Sequence, residues 1–421
     1  MATAPVRGQA KGGTSVAAGP AATTPIATAV PPKRITGLDM TRGLAVLGMM
    51  AVHVYPDFNR NGTPSAAFAI AAGRSMATFV LMAGVSLALM TGGRHPVEGR
   101  ARTAARAALT VRALMIGLIG FGLGYLPLPV SDILPYYAVM FVLALPLIGL
   151  PPRALAALAI VIALAVPVVN LVLGNHVSLQ QDPTFASLRH PYYLAGGLLF
   201  NGEYPALPLL AFICAGMALG RLRLSSARVG ARLLGGGVAL ALAAWFTSDV
   251  LLLHMGGLQG LQAAGAVADG LPPGQVHDYL LWQPDNVPSW WWLAVRAPYT
   301  STPIDLLHAM GVAVAVLGGM LLLSRVSGPV LKPLAALGSM TLTIYCAHLV
   351  YISFDPLAND PLLSYAVQVS VALTFAVIWR RFRGQGPLEK LIAVVAGRAR
   401  RAVATAPGRP SPARPIPSGL G

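Results

Sequence analysis

Hydrophobic residues in this chain come in long, nearly unbroken runs separated by short polar stretches. Ten runs stand out, at residues 37–56, 67–91, 107–126, 133–150, 154–174, 204–220, 233–253, 303–323, 334–354 and 361–379. Each matches the roughly 17–25 residues that a helix needs to cross a hydrocarbon core. The pattern predicts an all-α, polytopic integral membrane protein of about ten transmembrane helices. Two connections are longer than the rest, 175–203 and 254–302, and both are polar, aromatic and irregular. The second contains "DYLLWQPDNVPSWWWL", residues 278–293, with four of the six Trp. It reads either as an interfacial aromatic belt or as a platform facing a carbohydrate or lipid. No internal repeat is evident.

Composition supports the membrane reading. Of 421 residues 55% are hydrophobic and only 10% charged, too few to cover a soluble surface of this size. The net charge of +16 suggests nucleic acid at first sight, but its distribution points to membrane lipid instead. If the N-terminus is cytoplasmic, all but four of the 30 Lys and Arg fall on the cytoplasmic side, the exceptions being Arg60, Arg74, Arg189 and Arg296. The positive-inside rule therefore orients the chain with both termini in the cytoplasm. Residues 1–33 and 396–421 read as cytoplasmic tails, the first disordered and the second basic and Pro/Ala-rich, around a membrane domain at 34–395. The first tail holds no apolar segment of signal-peptide type, so the first span is expected to target the chain and stay. Cys214 and Cys346 both lie inside apolar runs and read as small core residues. No metal-ligand cluster, Walker A motif, dinucleotide fingerprint or nucleophile elbow occurs, and no metal is expected.

The first run, "GLDMTRGLAVLGMMAVHVYP", carries Asp39, Arg42 and His53. Ionisable groups inside a membrane are costly and usually mark a pathway or site. Arg42 and His53 are eleven positions apart, which is three helical turns plus roughly 20°, so they share a face about 16 Å apart along the axis. A cation for the phosphates of an acyl-CoA and a base near its thioester need a separation of this order. The same residues admit plainer readings. Arg42 serves equally as a snorkelling anchor or as the i,i+3 partner of Asp39, and His53 as a packed histidine. In the second run Arg74 needs a partner if buried, and Asp57 in the preceding loop is the candidate. In the ninth run Thr341, Tyr345 and His348 share one helical face, with His348 a second candidate base. Asp305 and His308 share a face at the start of the eighth run, where "STPID" reads as a Thr302 cap with Pro303 at the first position. After the last run, "RFRGQGPLEKL" reads as the start of a surface helix on anionic lipid or as a contributor to CoA binding.

"RGLAVLGMMAVH" resembles the Arg-x10-His signature of acyltransferase family 3 membrane proteins. "RITGLDMTRGLAVLGMMAVH" with "GRSMATFVLMAGVSLALMTGG" is more similar still to the start of the heparan-α-glucosaminide N-acetyltransferase catalytic domain. Bacterial YeiB-type proteins share these segments and end in patterns similar to "MTLTIYCAHLV" and "RFRGQGPLEKL". The resemblance implies a multi-pass protein of a bacterial plasma membrane that moves an acyl group, most simply acetyl, from cytosolic acyl-CoA to an extracytoplasmic glycan or small-molecule acceptor. Arg42 and His53 match the Arg and His of the signature. The heparan enzyme's catalytic histidine lies in the loop before the second span, and here that loop, "PDFNRNGTPSAA", has none. His53 and His348 are therefore the catalytic candidates, with Arg42, Asp39, Arg74, Tyr345, Thr341 and His308 as candidates for binding acyl-CoA or acceptor. Histidine serves either as a base or as a transient acyl carrier. The competing classes are a solute transporter without acyl chemistry and a non-catalytic membrane partner of the same fold, in each case with a homo-oligomer open.

Overall fold

The computed structural model describes residues 35–173, 182–267, 271, 273–354 and 356–405, and the N-terminal tail and residues 406–421 lie outside them. Among the described residues the protein is all-α, with no strand beyond an isolated bridge between Phe58 and Pro64. The first two runs form α1 (Thr36–Val54), α2 (Ala66–Ala71) and α3 (Arg74–Met90). The next three form α4 (Gly99–Leu123), α5 (Leu134–Ala144) and α6 (Pro152–Leu173), followed by a short α7 (Pro191–Gly196). Then come α8 (Ala206–Gly220) and α9 (Ala227–Asp249), with α10 (Gly257–Ala263) and α11 (Val276–Trp282) in the long connection. The last third holds α12 (Pro303–Val326), α13 (Lys332–Leu337), α14 (Thr341–Phe354), α15 (Pro361–Arg383) and α16 (Pro387–Thr405). Each of the ten apolar runs thus carries a helix. By length and apolarity, six helices suffice to cross a membrane, or seven with a bent pair counted as one span.

Several boundaries follow from local chemistry. Thr302 caps α12 by accepting from the Asp305 amide at 3.1 Å, with Pro303 in the first turn, where its missing N–H costs nothing. Asp360 caps α15 in the same way through Leu363 N at 3.0 Å. Between α2 and α3, Gly73 takes φ +68°, a conformation that favours glycine, and the break puts Arg74 at the first helical position.

The second and ninth runs differ from the expectation of one continuous helix each. The second breaks at Gly73. The ninth breaks after Leu337, where α13 packs so closely on α1 that a Cβ on Gly338 would stand 1.7 Å from the Asp39 carbonyl oxygen. Small residues at such crossings let backbones approach, the usual basis of packing between membrane helices. The same device joins α3 to α8, where a Cβ on Gly216 would meet Leu81 O at 2.0 Å.

Burial separates centre from periphery. The most apolar stretch of Ala66–Met90 is 67% buried within the protein, against 22% for each of Pro152–Leu173, Ala227–His254 and Pro361–Arg383. Peripheral helices instead present large apolar side chains outward, among them Ile160 and Val161 on α6, Leu242 and Phe246 on α9, and Val371 and Ile378 on α15. Such a surface suits lipid rather than water. The central core packs Val80, Leu81 and Val85 of α3 against Phe212, Ile213 and Met217 of α8.

The Trp-rich connection is not a bare interfacial belt. Leu252, Leu261, Leu280, Val287, Trp292 and Val295 form a second small core, and only Trp290 of this group's tryptophans stands well out, at 67% exposed. At the other end of the bundle, Glu389 in the first turn of α16 accepts from Leu342 N at 2.7 Å, Thr343 N at 3.1 Å and Thr343 Oγ1 at 2.6 Å. The helix read from "GPLEKL" exists, and it runs to Thr405.

If both termini are cytoplasmic, as the positive-inside rule expects, a reporter fused after residue 400 should be active only in the cytoplasm and one inserted near residue 270 only outside. Activity of the residue 400 fusion outside the cytoplasm would overturn the ten-span topology.

Candidate active site

Helices α14 and α15, consecutive near the end of the chain, meet α1 near its C-terminal end. His53 Nδ1 lies 3.0 Å from His348 Nε2 of α14. The ring centroids are 5.2 Å apart and the planes differ by 16°. With a 3.0 Å nitrogen contact, that centroid separation is reached only when the rings meet edge to edge. The pair is therefore a well-aligned in-plane hydrogen bond and not a face-to-face stack. On its far side His348 Nδ1 stands 2.6 Å from Gln368 Oε1 of α15, and Gln368 Nε2 donates to Ser364 Oγ at 3.0 Å. His348, Gln368 and Ser364 are all buried, whereas His53 is half-buried.

His53 lines two spaces. One is a cavity of about 10 Å³, roughly one water in size, walled by Ser75, Tyr204, Tyr299 and Tyr345 among others. The other is an open cavity of about 810 Å³ whose wall includes Asp57, Phe68, Asn170, Glu203, Trp282, Trp292 and residues 298–301. Its rim is conformationally unusual. Tyr299 and Ser301 take φ of 66° and 52°, a region costly for residues other than glycine. Asp305 Oδ2 holds the rim by accepting from Ser301 N at 3.1 Å, and Thr302 Oγ1 donates to Val295 O.

Tyr345, one turn before His348, donates to Asp132 Oδ1 at 3.0 Å and accepts from Ile133 N at 3.2 Å. Asp132 also accepts from Leu134 N at 3.0 Å, and its second oxygen is buried without a hydrogen-bond partner. Burial raises this carboxyl to about 7, assisted by the neighbouring Asp182 and opposed by the bonds from Leu134 and Tyr345. Burial likewise raises Asp57, and it raises Glu203 together with repulsion from Asp182 and Asp57.

The other candidates lie elsewhere. Arg42 Nη1 pairs with Asp39 Oδ1 at 3.4 Å, as the i,i+3 spacing implied, and Nη2 donates to Ser86 of α3. The Arg42 side chain stays 24% exposed while Asp39 is 4% exposed, so the cation remains reachable. Thr341 opens α14, about 10 Å along the helix axis from His348.

Arg74 corrects an expectation. The first carboxylate acting on it is Asp305, not Asp57. The break at Gly73 turns Arg74 towards α12 and α11, where it lies 6.0 Å from the Trp282 ring and donates to Ala72 O at 3.1 Å. Arg296 shares that tryptophan, lying 5.6 Å from both Trp282 and Trp245 and 3.5 Å from Asp249. Two guanidiniums, two indoles and two carboxylates thus balance one another behind the cavity wall. His308 sits in the field of both arginines, and neither it nor Arg74 lines the two cavities.

The sequence pattern did not single out Gln368, Ser364 or Asp132. Ser364 and Gln368 are polar residues four apart in an otherwise apolar run, a visible signal. Among the described residues no group of three or more His, Cys, Asp or Glu stands where it could hold a metal ion.

These features define a helical membrane protein with a hydrogen-bonded histidine pair opening onto a polar, aromatic-walled cavity. The family model described as heparan-alpha-glucosaminide N-acetyltransferase, catalytic, matches residues 34–255, more than half of the chain, and the chain belongs to that family. In a comparison with curated proteins, none matches. The matched segment includes Asp39, Arg42, His53, Arg74 and Asp132, while His348 and Gln368 lie beyond it.

Two measurements test this geometry. A double-mutant cycle on Arg74 and Asp305 in detergent-solubilised protein should show coupling of about 0.5–3 kcal/mol, and the Arg74–Asp57 cycle much less. For Asp132 the folded carboxyl binds its proton more tightly than the unfolded one. Its contribution to stability is therefore full below 3.8 and is lost as pH rises through about 7. Asp132→Asn should flatten the fall in melting temperature across that window.

Proposed function

We propose that the protein is a membrane acyltransferase that moves an acyl group, most simply acetyl, from cytosolic acyl-CoA to an acceptor on the other side of the bilayer. The observation that carries this reading is the placement of His53. Its Nδ1 is engaged by His348, and its ring borders both the small cavity and the large one. In this reading Arg42 meets the CoA phosphates at the cytoplasmic end of α1, and the thioester reaches His53 about 16 Å away along that helix. His53 takes the proton of the acceptor hydroxyl or amine as that atom attacks the thioester carbonyl. The C–S bond breaks, and the imidazolium returns the proton to the CoA thiolate.

The large cavity favours a particular acceptor chemistry. Among the described residues its lining holds Asp57 and Glu203 and no Lys or Arg, with indole and phenyl faces from Trp282, Trp292 and Phe68. Aromatic faces and carboxylates suit a polyhydroxylated or amine-bearing molecule, such as a glycan or a small sugar-like acceptor, and disfavour an anion. Within the family we place the chain with the bacterial YeiB-type members on the strength of residues 340–350 and 381–391, in a bacterial plasma membrane.

The test is CoA thiol release and labelled acyl transfer in membranes, alongside acyl-CoA binding. His53→Ala should lower transfer by about 10²–10⁴ with binding nearly intact. Arg42→Ala should weaken acyl-CoA binding by about tenfold or more, the loss of a charge-assisted hydrogen bond. A wild type that neither binds acyl-CoA nor releases its thiol, yet moves a solute, would make the protein a transporter.

A further inference from the structure

The bonds around His348 carry information about which nitrogen of His53 is free. A neutral imidazole has one N–H and one lone pair, so each bond in a chain of imidazoles dictates the next. Gln368 Nε2 donates to Ser364 Oγ at 3.0 Å, which turns the amide oxygen towards His348. The 2.6 Å separation between that oxygen and His348 Nδ1 is short for any N–H···O bond and shorter still for a contact between two nitrogens. His348 Nδ1 is thus the N–H and donates to Gln368. Its Nε2 is left with a lone pair, and the 3.0 Å contact to His53 Nδ1 requires His53 to donate. Two imidazoliums cannot share this contact, because neither would have a lone pair to accept with.

We propose that Gln368, acting through His348, is a positioning residue that fixes His53 in the tautomer with Nδ1 protonated and an Nε2 lone pair facing the cavity. This assignment rests on the reading of His53 as a base and says how the fold prepares it. With the opposite amide orientation the whole chain inverts: His348 Nε2 donates to His53 Nδ1, and His53 Nε2 carries a proton and takes none. A single amide on α15 therefore decides whether a ring on α1 is a base.

The roles are distinct. His53 meets the reacting atoms, whereas His348 and Gln368 are buried behind it and act through it. When His53 gains a proton at Nε2, the Nδ1–H bond to His348 strengthens, and His348 is already held by Gln368. The arrangement stabilises the transient imidazolium without a carboxylate in the chain, so the base is not committed to the charged form at rest.

The experiment reads the tautomer directly. Imidazole ¹⁵N spectra of the full-length protein, labelled at histidine and held in lipid nanodiscs, are assigned by the signals lost in His53→Ala. The wild type should show His53 protonated at Nδ1 and bare at Nε2, with coupling across the bond to His348. Gln368→Met keeps the side-chain bulk but removes the amide. It should give mixed tautomers at His53 and lower kcat for transfer by about tenfold, the bias one hydrogen bond sets, with KM for acyl-CoA unchanged. Gln368→Glu restores an oxygen at the same place and should return both the Nδ1–H form and most of the transfer. A wild-type His53 protonated at Nε2, or an unchanged tautomer in Gln368→Met, overturns the proposal. If Gln368→Met fails to fold, the wild-type and Gln368→Glu spectra decide it. The expected tautomer in a protein that transfers no acyl group leaves this inference standing and removes the acyltransferase reading instead.

Discussion

One hydrogen bond between two imidazoles ties the two ends of this chain together. His53 belongs to the first helix and His348 to the fourteenth, yet they meet in plane at 3.0 Å. In a bundle packed mainly by apolar, non-directional contacts, a buried polar group without a partner costs about 1–3 kcal/mol. The chain from His53 through His348 and Gln368 to Ser364 satisfies each group with the next and fixes how α1, α14 and α15 stand in rotation and height. The family match ends at residue 255, so of these four residues only His53 lies inside the matched segment.

The rest of the architecture serves that meeting point. Small residues bring α13 against α1 and α8 against α3, so the central helices sit too close for any slack. Glu389 ties the start of α14 to α16 and keeps the His348 helix at its level. On the cavity side the strained turn at Tyr299 and Ser301 is held by Thr302 and Asp305, and Asp305 also faces Arg74. The cap with its own Trp-rich core then makes a rigid wall from what the sequence presents as a long loop.

Charge is sorted along α1 by the same logic. Arg42, paired with Asp39 and Ser86, holds one end, and the hydrogen-bonded histidine pair holds the other. The two ends are joined by a face that a straight helix brings into register every eleven residues. Arg74 and Arg296, two of the four cations that the sequence places away from the cytoplasmic side, share Trp282 and are matched by carboxylates. Their place is in the wall and not on its lining.

Much of this is legible in the order of the amino acids alone. Run lengths imply a helical membrane protein, because a bilayer of fixed thickness imposes a length on every span. The spacing of Asp39, Arg42 and His53 follows from 3.6 residues per turn, and the Thr302 cap from the chemistry of a helix start. These are local rules, and local rules can be read from neighbours in sequence. The breaks at Gly73 and Gly338, the choice of Asp305 over Asp57 for Arg74, and the joining of His53 to His348 and Gln368 are different in kind. Each depends on how far two distant helices approach and at what rotation, which the packing of small residues and the satisfaction of buried polar groups settle together. Sequence determined which groups this protein buries in the membrane, and only the tertiary structure decided which of them touch.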